Sequence, residues 1–111
     1  MKKGEESLGS LEHIVLLAVM RLGDNAYGIT VLDEIEVVTG RDLSIGTVYA
    51  ALGRLESKGY VKPSTGEPTA ERGGRAKRYF HVTADGRSAV RRAQESIMKM
   101  NSGLKDLRVT R

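Results

Sequence analysis

The 111-residue chain contains no cysteine and no tryptophan, and it has only one phenylalanine. Without cysteine it cannot form disulfides, use a thiol in catalysis or bind zinc through thiolates. No apolar run approaches the roughly 18 residues that a bilayer-spanning helix needs, and no apolar signal-peptide core follows the charged residues Lys2 and Lys3. We therefore expect a cytoplasmic protein whose residues 1–7 form a disordered tail.

Patterns typical of catalytic or metal sites are also missing. His13 and His81 are the only histidines, and neither has the HxxxH or carboxylate spacing of a metal site. Glu12 and the acidic residues of segment 33–36 come with no nucleophile or phosphate-binding loop, so we interpret them as solvated carboxylates. We expect no enzymatic activity, no metal and no cofactor.

Positive charge is concentrated in the second part of the chain. Residues 1–43 contain four Lys or Arg and eight Asp or Glu, whereas residues 44–111 contain fourteen and six. The net charge of +4 therefore divides into −4 and +8. Such an asymmetry is typical of proteins that bind a polyanion, usually nucleic acid, although a solvated basic surface gives the same pattern.

Two amphipathic segments predict the first two helices. The first spans Leu8 to Leu22, with Ser7 or Ser10 as its N-terminal cap and a Gly-Asp-Asn stretch at 23–25 as its end. The second spans roughly residues 27–39 and ends at Gly40, a residue suited to the left-handed backbone of a helix C-terminus. Its apolar side consists of Leu32, Ile35 and Val38.

A third helix is predicted from Ser44, whose hydroxyl can cap it, to Gly59. Val48, Leu52 and Leu55 form its buried stripe. The opposite side is polar and basic, which suits the major groove of DNA, and consists of Ser44, Thr47, Ala51, Arg54 and Lys58. We assign Thr47 and Arg54 to bases, and Ser44 and Tyr49 to phosphate oxygens. An ordinary polar surface helix is the alternative.

Two strands, Tyr60–Lys62 and Arg78–Val82, follow the third helix. The segment between them, beginning at Pro63, is rich in glycine and cations, and it predicts a mobile turn that serves as a wing. We expect this wing to contact the DNA backbone through Arg72, Arg75, Lys77 and Arg78, and Glu71 is the only acid near these four cations in the sequence. A solvated run of charge is the alternative.

Thr83 can cap a fourth helix. Along that helix apolar residues repeat at alternating spacings of three and four, as in the seam of a coiled coil, at Val90, Ala93, Ile97, Met100, Leu104 and Leu107. We expect this seam to form a homodimer with help from Leu11 and Val15 of the first helix.

In combination these features resemble the PadR-like family of transcriptional regulators. The resemblance spans roughly residues 8–90 and rests on three ordered blocks, namely Tyr27-Gly28 with Leu32 and Ile35, then Ser44-Ile45-Gly46-Thr47-Val48-Tyr49 with Leu52, Arg54-Leu55-Glu56 and Gly59, then Gly74-Arg75, Arg78-Tyr79-Phe80 and Thr83-x-x-Gly86. The resemblance implies a winged-helix dimer that binds double-stranded DNA through helix three and the wing. It also implies a repressor, and some members release DNA on binding a small effector.

The sequence therefore predicts a mainly α fold with a small β-hairpin (α+β), with a winged helix-turn-helix domain over residues 8–83 and a C-terminal dimerisation helix over residues 84–111. The predicted function is that of a sequence-specific homodimeric repressor on a pseudo-palindromic operator, with a small-molecule effector left open. A winged-helix module for protein interaction is the alternative. Nonspecific binding of single strands would need stacking aromatics that this chain lacks.

Overall fold

The computed structural model describes residues 6–65 and 77–104. This part of the chain contains four α-helices and one two-stranded antiparallel hairpin, in the order α1 (Ser10–Leu22), α2 (Gly28–Thr39), α3 (Ile45–Ser57), β1 (Val61–Thr65), β2 (Arg78–Val82) and α4 (Ala84–Asn101), with a short 3-10 turn at Gly23–Asn25. The mainly helical α+β architecture predicted from the sequence is confirmed. Among the described helices, none has the length and apolar character needed to span a bilayer.

Helices α1, α2 and α3 pack around one core. Its fully buried side chains come from all three helices and from the start of the hairpin, and include Val15, Leu16, Val19, Val31, Ile35, Val48, Leu52, Leu55 and Tyr60. The predicted buried stripe of α3 is confirmed. On α2, Val31 and Ile35 are buried in the core, whereas Val38 is half exposed. The buried side of α2 is therefore rotated by part of a turn from the side that the sequence predicted.

The ends of the helices depend on backbone groups within a few residues. As predicted, the Ser44 hydroxyl accepts a hydrogen bond from the Thr47 N–H, and Gly40 (φ 75°) occupies the left-handed region. Gly59 (φ 81°), at the predicted end of the third helix, occupies that region as well. The predicted serine cap of α1 is wrong. Its N-cap is Gly9, whose N–H donates to Glu12 Oε1 at 2.8 Å, so the carboxylate of the first turn satisfies the free amide.

The hairpin is longer than the sequence pattern predicted, because β1 continues through Pro63 to Thr65. Pro63 lies opposite Phe80, and the Phe80 N–H donates instead to the Ala26 carbonyl at 2.8 Å. The N–H of Phe80 thus points away from β1, so Pro63 and Phe80 form a pair without hydrogen bonds between the strands. A proline, which has no N–H, therefore removes no hydrogen bond from the hairpin at this position. A bridge between Tyr27 and Tyr79 adds a further contact on the same side of β2.

Helix α4 is anchored at one end and exposed at the other. Thr83 Oγ1 accepts from the Gly86 N–H at 3.0 Å, which confirms the predicted cap, and Val90 is buried in the core. The helix ends at Asn101, followed by Gly103 with φ 82°. Leu104, a member of the predicted seam, therefore follows the last turn of α4, and Leu107 lies outside the described residues.

Residues 6 and 7, which were predicted to belong to a disordered tail, contact the folded body. The Glu6 carbonyl accepts a hydrogen bond from the Tyr60 hydroxyl, and the Ser7 carbonyl accepts one from Lys58 Nζ at 2.9 Å. The rest of the predicted tail, residues 1–5, lies outside the described residues.

Candidate nucleic-acid interface

The N-terminal turn of α3 carries two hydroxyl groups side by side. Ser44 Oγ lies 2.8 Å from Thr47 Oγ1 and caps the helix through the Thr47 N–H at 3.1 Å. Each hydroxyl has one donor and two acceptor sites, so this pair keeps hydrogen-bonding capacity after the cap is formed. Helix N-termini also attract anions through their free N–H groups. As predicted, Ser44 and Thr47 lie at the start of a helix that is accessible to solvent.

The exposed face of α3 differs from the face that the sequence pattern predicted. Ala51 is fully buried. At about 100° per residue, the side opposite the core stripe instead carries small residues, and all four are exposed: Gly46, Ala50, Gly53 and Ser57. This face lets another molecule approach the helix backbone closely. The sequence could have identified this face, because its residues lie on the side of the helix opposite Val48 and Leu55.

Tyr49 and Arg54 flank this face of small residues, the outer face of α3. The Tyr49 side chain is half exposed, and its ring rests against Gly28 at the start of α2. A Cβ atom at Gly28 would overlap the hydroxyl end of that ring. Gly28 therefore makes the space in which Tyr49 lies beside the outer face of α3.

The carboxylate of Glu12 lies between α1 and the second half of α3. Glu12 Oε1 accepts from Lys58 Nζ at 2.6 Å and from the Gly9 N–H at 2.8 Å, and Glu12 Oε2 accepts from Arg54 Nε at 3.0 Å. With an exposed fraction of 5%, Glu12 is buried, so the interpretation of this residue as a solvated carboxylate is wrong. Two cations and a backbone amide compensate for the burial of its charge.

The pKa of Glu12 reflects this arrangement. Burial by itself raises the pKa of the carboxyl group, but the hydrogen bonds from Lys58, Gly9 and Arg54 together lower it below its ordinary value. Glu12 is therefore ionised at neutral pH and forms ion pairs with both cations.

Lys58 and Arg54 differ in what they leave available to a ligand. The Lys58 side chain is only 19% exposed, and its ammonium group is bound to Glu12 and to the Ser7 carbonyl. The Arg54 side chain is 50% exposed. The structure thus places Lys58 inside the protein as a partner of Glu12, whereas Arg54 remains at the surface.

The base of the wing carries two further cations that were predicted to bind DNA, Lys77 and Arg78. Lys77 Nζ donates to the Tyr27 hydroxyl at 3.3 Å and lies 4.6 Å from the centre of that ring. Arg78 Nη2 donates to both carboxylate oxygens of Glu56, at 2.9 and 3.1 Å. Glu56, an acid of α3, therefore pairs with one of the wing cations, a contact that the sequence pattern did not predict. Arg72 and Arg75 lie outside the described residues.

The residues predicted to form a dimer interface fall into two groups. Val15 and Val90 are buried in the core of the single chain and Leu11 packs against that core, so the assignment of the two valines to a surface is corrected. Ile97, Met100 and Leu104 are exposed, and Leu107 lies outside the described residues. A cleft between the start of α1 and the middle of α4 lies next to the exposed group and is lined in part by His13 and Ile97. Within residues 6–65 and 77–104, no group of three or more His, Asp or Glu is placed to hold a metal.

Comparison with known proteins gives a consistent result. The model of the transcriptional regulator PadR-like family matches residues 16–92. A transcriptional regulator from Clostridium thermocellum superposes with a TM-score of 0.69 at 26% identity, over 82% of this chain and 85% of that chain. A PadR family transcription regulator from Clostridium difficile gives 0.68 at 22% identity over 84% and 95%, and a PadR-like transcription factor from Bacteroides fragilis gives 0.69 at 20% identity over 82% and 82%. No curated protein matches the sequence.

Proposed function

Because this chain belongs to the PadR-like family of transcriptional regulators, we propose that it is a homodimeric repressor that binds a pseudo-palindromic DNA operator. The observation that carries the proposal is the outer face of α3, which combines a hydroxyl pair at its start with small residues along its length and Tyr49 and Arg54 on its flanks. A helix of this shape fits the major groove, where N-terminal residues meet base edges and flanking residues meet phosphates.

Each predicted DNA-binding residue receives a role in this proposal. Thr47 and Arg54 read base edges, while Ser44 and Tyr49 contact phosphate oxygens. The wing contacts the backbone through Arg72, Arg75, Lys77 and Arg78, the last of which exchanges its Glu56 partner for a phosphate. Lys58 acts indirectly, because its ammonium group is bound within the protein.

The second half of α4 supports the dimer. Large apolar side chains of the predicted seam are strongly exposed in the single chain, namely Ile97 and Met100 in this half and Leu104 just after its last turn. A soluble protein rarely leaves such a group facing water, and an equivalent helix from a second copy would cover it. A two-fold dimer of this kind places its two α3 helices on half-sites about one helical turn apart.

Two methionines of α4 provide a matched test of the dimer. Met100 belongs to the apolar seam and Met98 lies on a different side of the helix, although their exposed fractions, 76% and 70%, are similar. We expect Met100→Asp to shift the protein towards monomer in equilibrium sedimentation, whereas Met98→Asp keeps the dimer mass. An unchanged mass in both variants would place the interface elsewhere.

Selection of binding sequences from a random duplex library tests the DNA-binding proposal. At about 150 mM salt, where purely electrostatic binding is weak, we expect enrichment of a motif with two-fold symmetry. In the same selection Arg54→Ala relaxes the base preference. Affinity measurements over a range of salt concentrations should show that Arg75→Ala weakens binding to all sequences alike and reduces the salt slope by about 1. The absence of any enriched motif would contradict the proposal and favour a protein-interaction module.

A further inference from the structure

Arg54 is held by one edge of its guanidinium group. Its Nε donates to Glu12 Oε2 at 3.0 Å, and half of the side chain is exposed. The two terminal nitrogens of Arg54 have no hydrogen-bond partner among residues 6–65 and 77–104. A guanidinium group is a planar fork, so a partner at Nε fixes the plane and leaves the edge formed by the two terminal nitrogens directed away from the carboxylate.

That outward edge has a defined chemistry. Two parallel N–H groups match the two acceptors of guanine in the major groove, and they also match two oxygens of a phosphate. An unrestrained arginine on a helix surface loses side-chain entropy when it makes such a contact, because its rotamers must then be fixed. An arginine that is already fixed by Glu12 loses less, and therefore binds more tightly and with a more defined geometry.

Lys58 keeps this arrangement attractive to DNA. A carboxylate paired with one arginine has no net charge, as in the pair of Arg21 with Glu34. Here Glu12 is paired with both Arg54 and Lys58, so the three side chains together carry a net charge of +1. Lys58 and the Gly9 N–H occupy Oε1, which leaves Oε2 for Arg54. The carboxylate can thus orient Arg54 without cancelling its attraction for a phosphate-rich partner.

We propose that Glu12 is a positioning residue for DNA recognition, which orients Arg54 so that its two terminal nitrogens face a guanine edge or a phosphate beside α3. This inference rests on the proposed DNA-binding function. It also assigns the contact between α1 and α3 a role in recognition, because the residue that orients Arg54 lies 42 positions earlier in the chain.

Glu12→Gln tests the proposal because two explanations predict opposite signs. If Glu12 were only an acid near DNA, its removal would strengthen binding to every duplex, since it repels phosphates. If Glu12 positions Arg54, the neutral amide holds the guanidinium group less firmly, because it has one acceptor oxygen for two cations and no charge. Affinity for the selected operator then falls by about fivefold or more, the lower end for a bidentate arginine contact. A fall confined to the operator identifies a base contact, and an equal fall on random duplex identifies a phosphate contact.

Three further variants separate positioning from a general structural effect. Glu34→Gln removes the acid of the Arg21 pair and should leave DNA affinity nearly unchanged. In an Arg54→Ala background, Glu12→Gln should not lower affinity further, whereas a purely structural role would lower affinity in that background as well. Arg54→Lys keeps the charge without the fork and should lose nearly as much affinity as Arg54→Ala, a comparison that does not depend on the folding of Glu12→Gln.

The outcomes distinguish this inference from the function on which it rests. A wild-type protein that enriches no DNA sequence would overturn both. An enriched operator that Glu12→Gln binds as tightly as, or more tightly than, the wild type would overturn the positioning role alone. Full operator affinity in Arg54→Lys would also overturn it, because the fork geometry would then be irrelevant.

Discussion

Replacing Lys58 with methionine is expected to lower the free energy of unfolding by about 2 kcal/mol at neutral pH. The substitution removes the hydrogen bond from Nζ to Glu12 Oε1 (2.6 Å) and the one to the Ser7 carbonyl (2.9 Å), while methionine keeps most of the apolar stem. A hydrogen bond to a charged group contributes about 1.5–3 kcal/mol, and a mostly buried lysine is little screened by solvent.

The expected loss stays below the roughly 3–5 kcal/mol typical of breaking a buried ion pair. Arg54 and the Gly9 N–H still donate to Glu12 in this variant, so the carboxylate is not left without a partner. With an unfolding entropy of about 2.1 cal/mol/K per residue over 111 residues, a loss of about 2 kcal/mol corresponds to a decrease in Tm of about 9 °C.

The difference between wild type and Lys58→Met should depend on pH. The pKa of Glu12 is lowered in the folded protein, so its stabilising contribution is fully present above the unfolded value of about 4.3 and is lost as the pH falls through the folded pKa. Because Lys58 is one cause of that lowered pKa, the variant has less of this contribution to lose. The two proteins should therefore differ most near pH 7 and approach each other in acid.

Urea unfolding followed by circular dichroism at pH 7 and pH 3 measures this difference directly. Lys62→Met is the matched control, since it removes the same charge from an exposed position on β1 and should change stability by less than about 0.5 kcal/mol. Equal losses for Lys58→Met and Lys62→Met, or a loss for Lys58→Met that is the same at both pH values, would refute the argument.

Three glycine substitutions test separate parts of the structure. Gly86→Ala should cost about 2–3 kcal/mol in urea unfolding, because the new Cβ would overlap the Tyr60 carbonyl and lie 2.9 Å from a Val82 methyl; a loss below 1 kcal/mol would contradict this packing. Gly28→Ala should displace the Tyr49 ring, lowering operator affinity with little change in stability, and unchanged affinity would exclude a role for the ring position. Gly53→Ala meets no atom within 4 Å and should stabilise α3 by about 0.5–1 kcal/mol while weakening operator binding; equal or tighter binding would show that this face of α3 does not approach DNA.

The sequence by itself determined the features that depend on neighbouring residues. The cap at Ser44, the cap at Thr83 and the left-handed glycines at 40 and 59 follow from hydrogen bonds and backbone angles within a few positions. The core stripe of α3 follows from helical periodicity, and the family from the spacing of its motifs. Each of these signals consists of residue types and spacings along the chain, so each can be read without knowing the packing of the helices.

The tertiary structure alone decided which side chains those helices leave available. Glu12 is buried because α1 packs beside Arg54 and Lys58. Val15 belongs to the core because α2 and α3 pack against α1, and Val90 belongs to it because α4 packs against α1. Likewise the hairpin continues through Pro63 because β2 bonds to residue 26 on its other side. The partners in these contacts are separated by dozens of residues, and the burial and charge pairing of a side chain depend on everything packed around it. Helical periodicity could therefore place Arg54 on α3, but only the packing of α1 revealed the carboxylate that holds it.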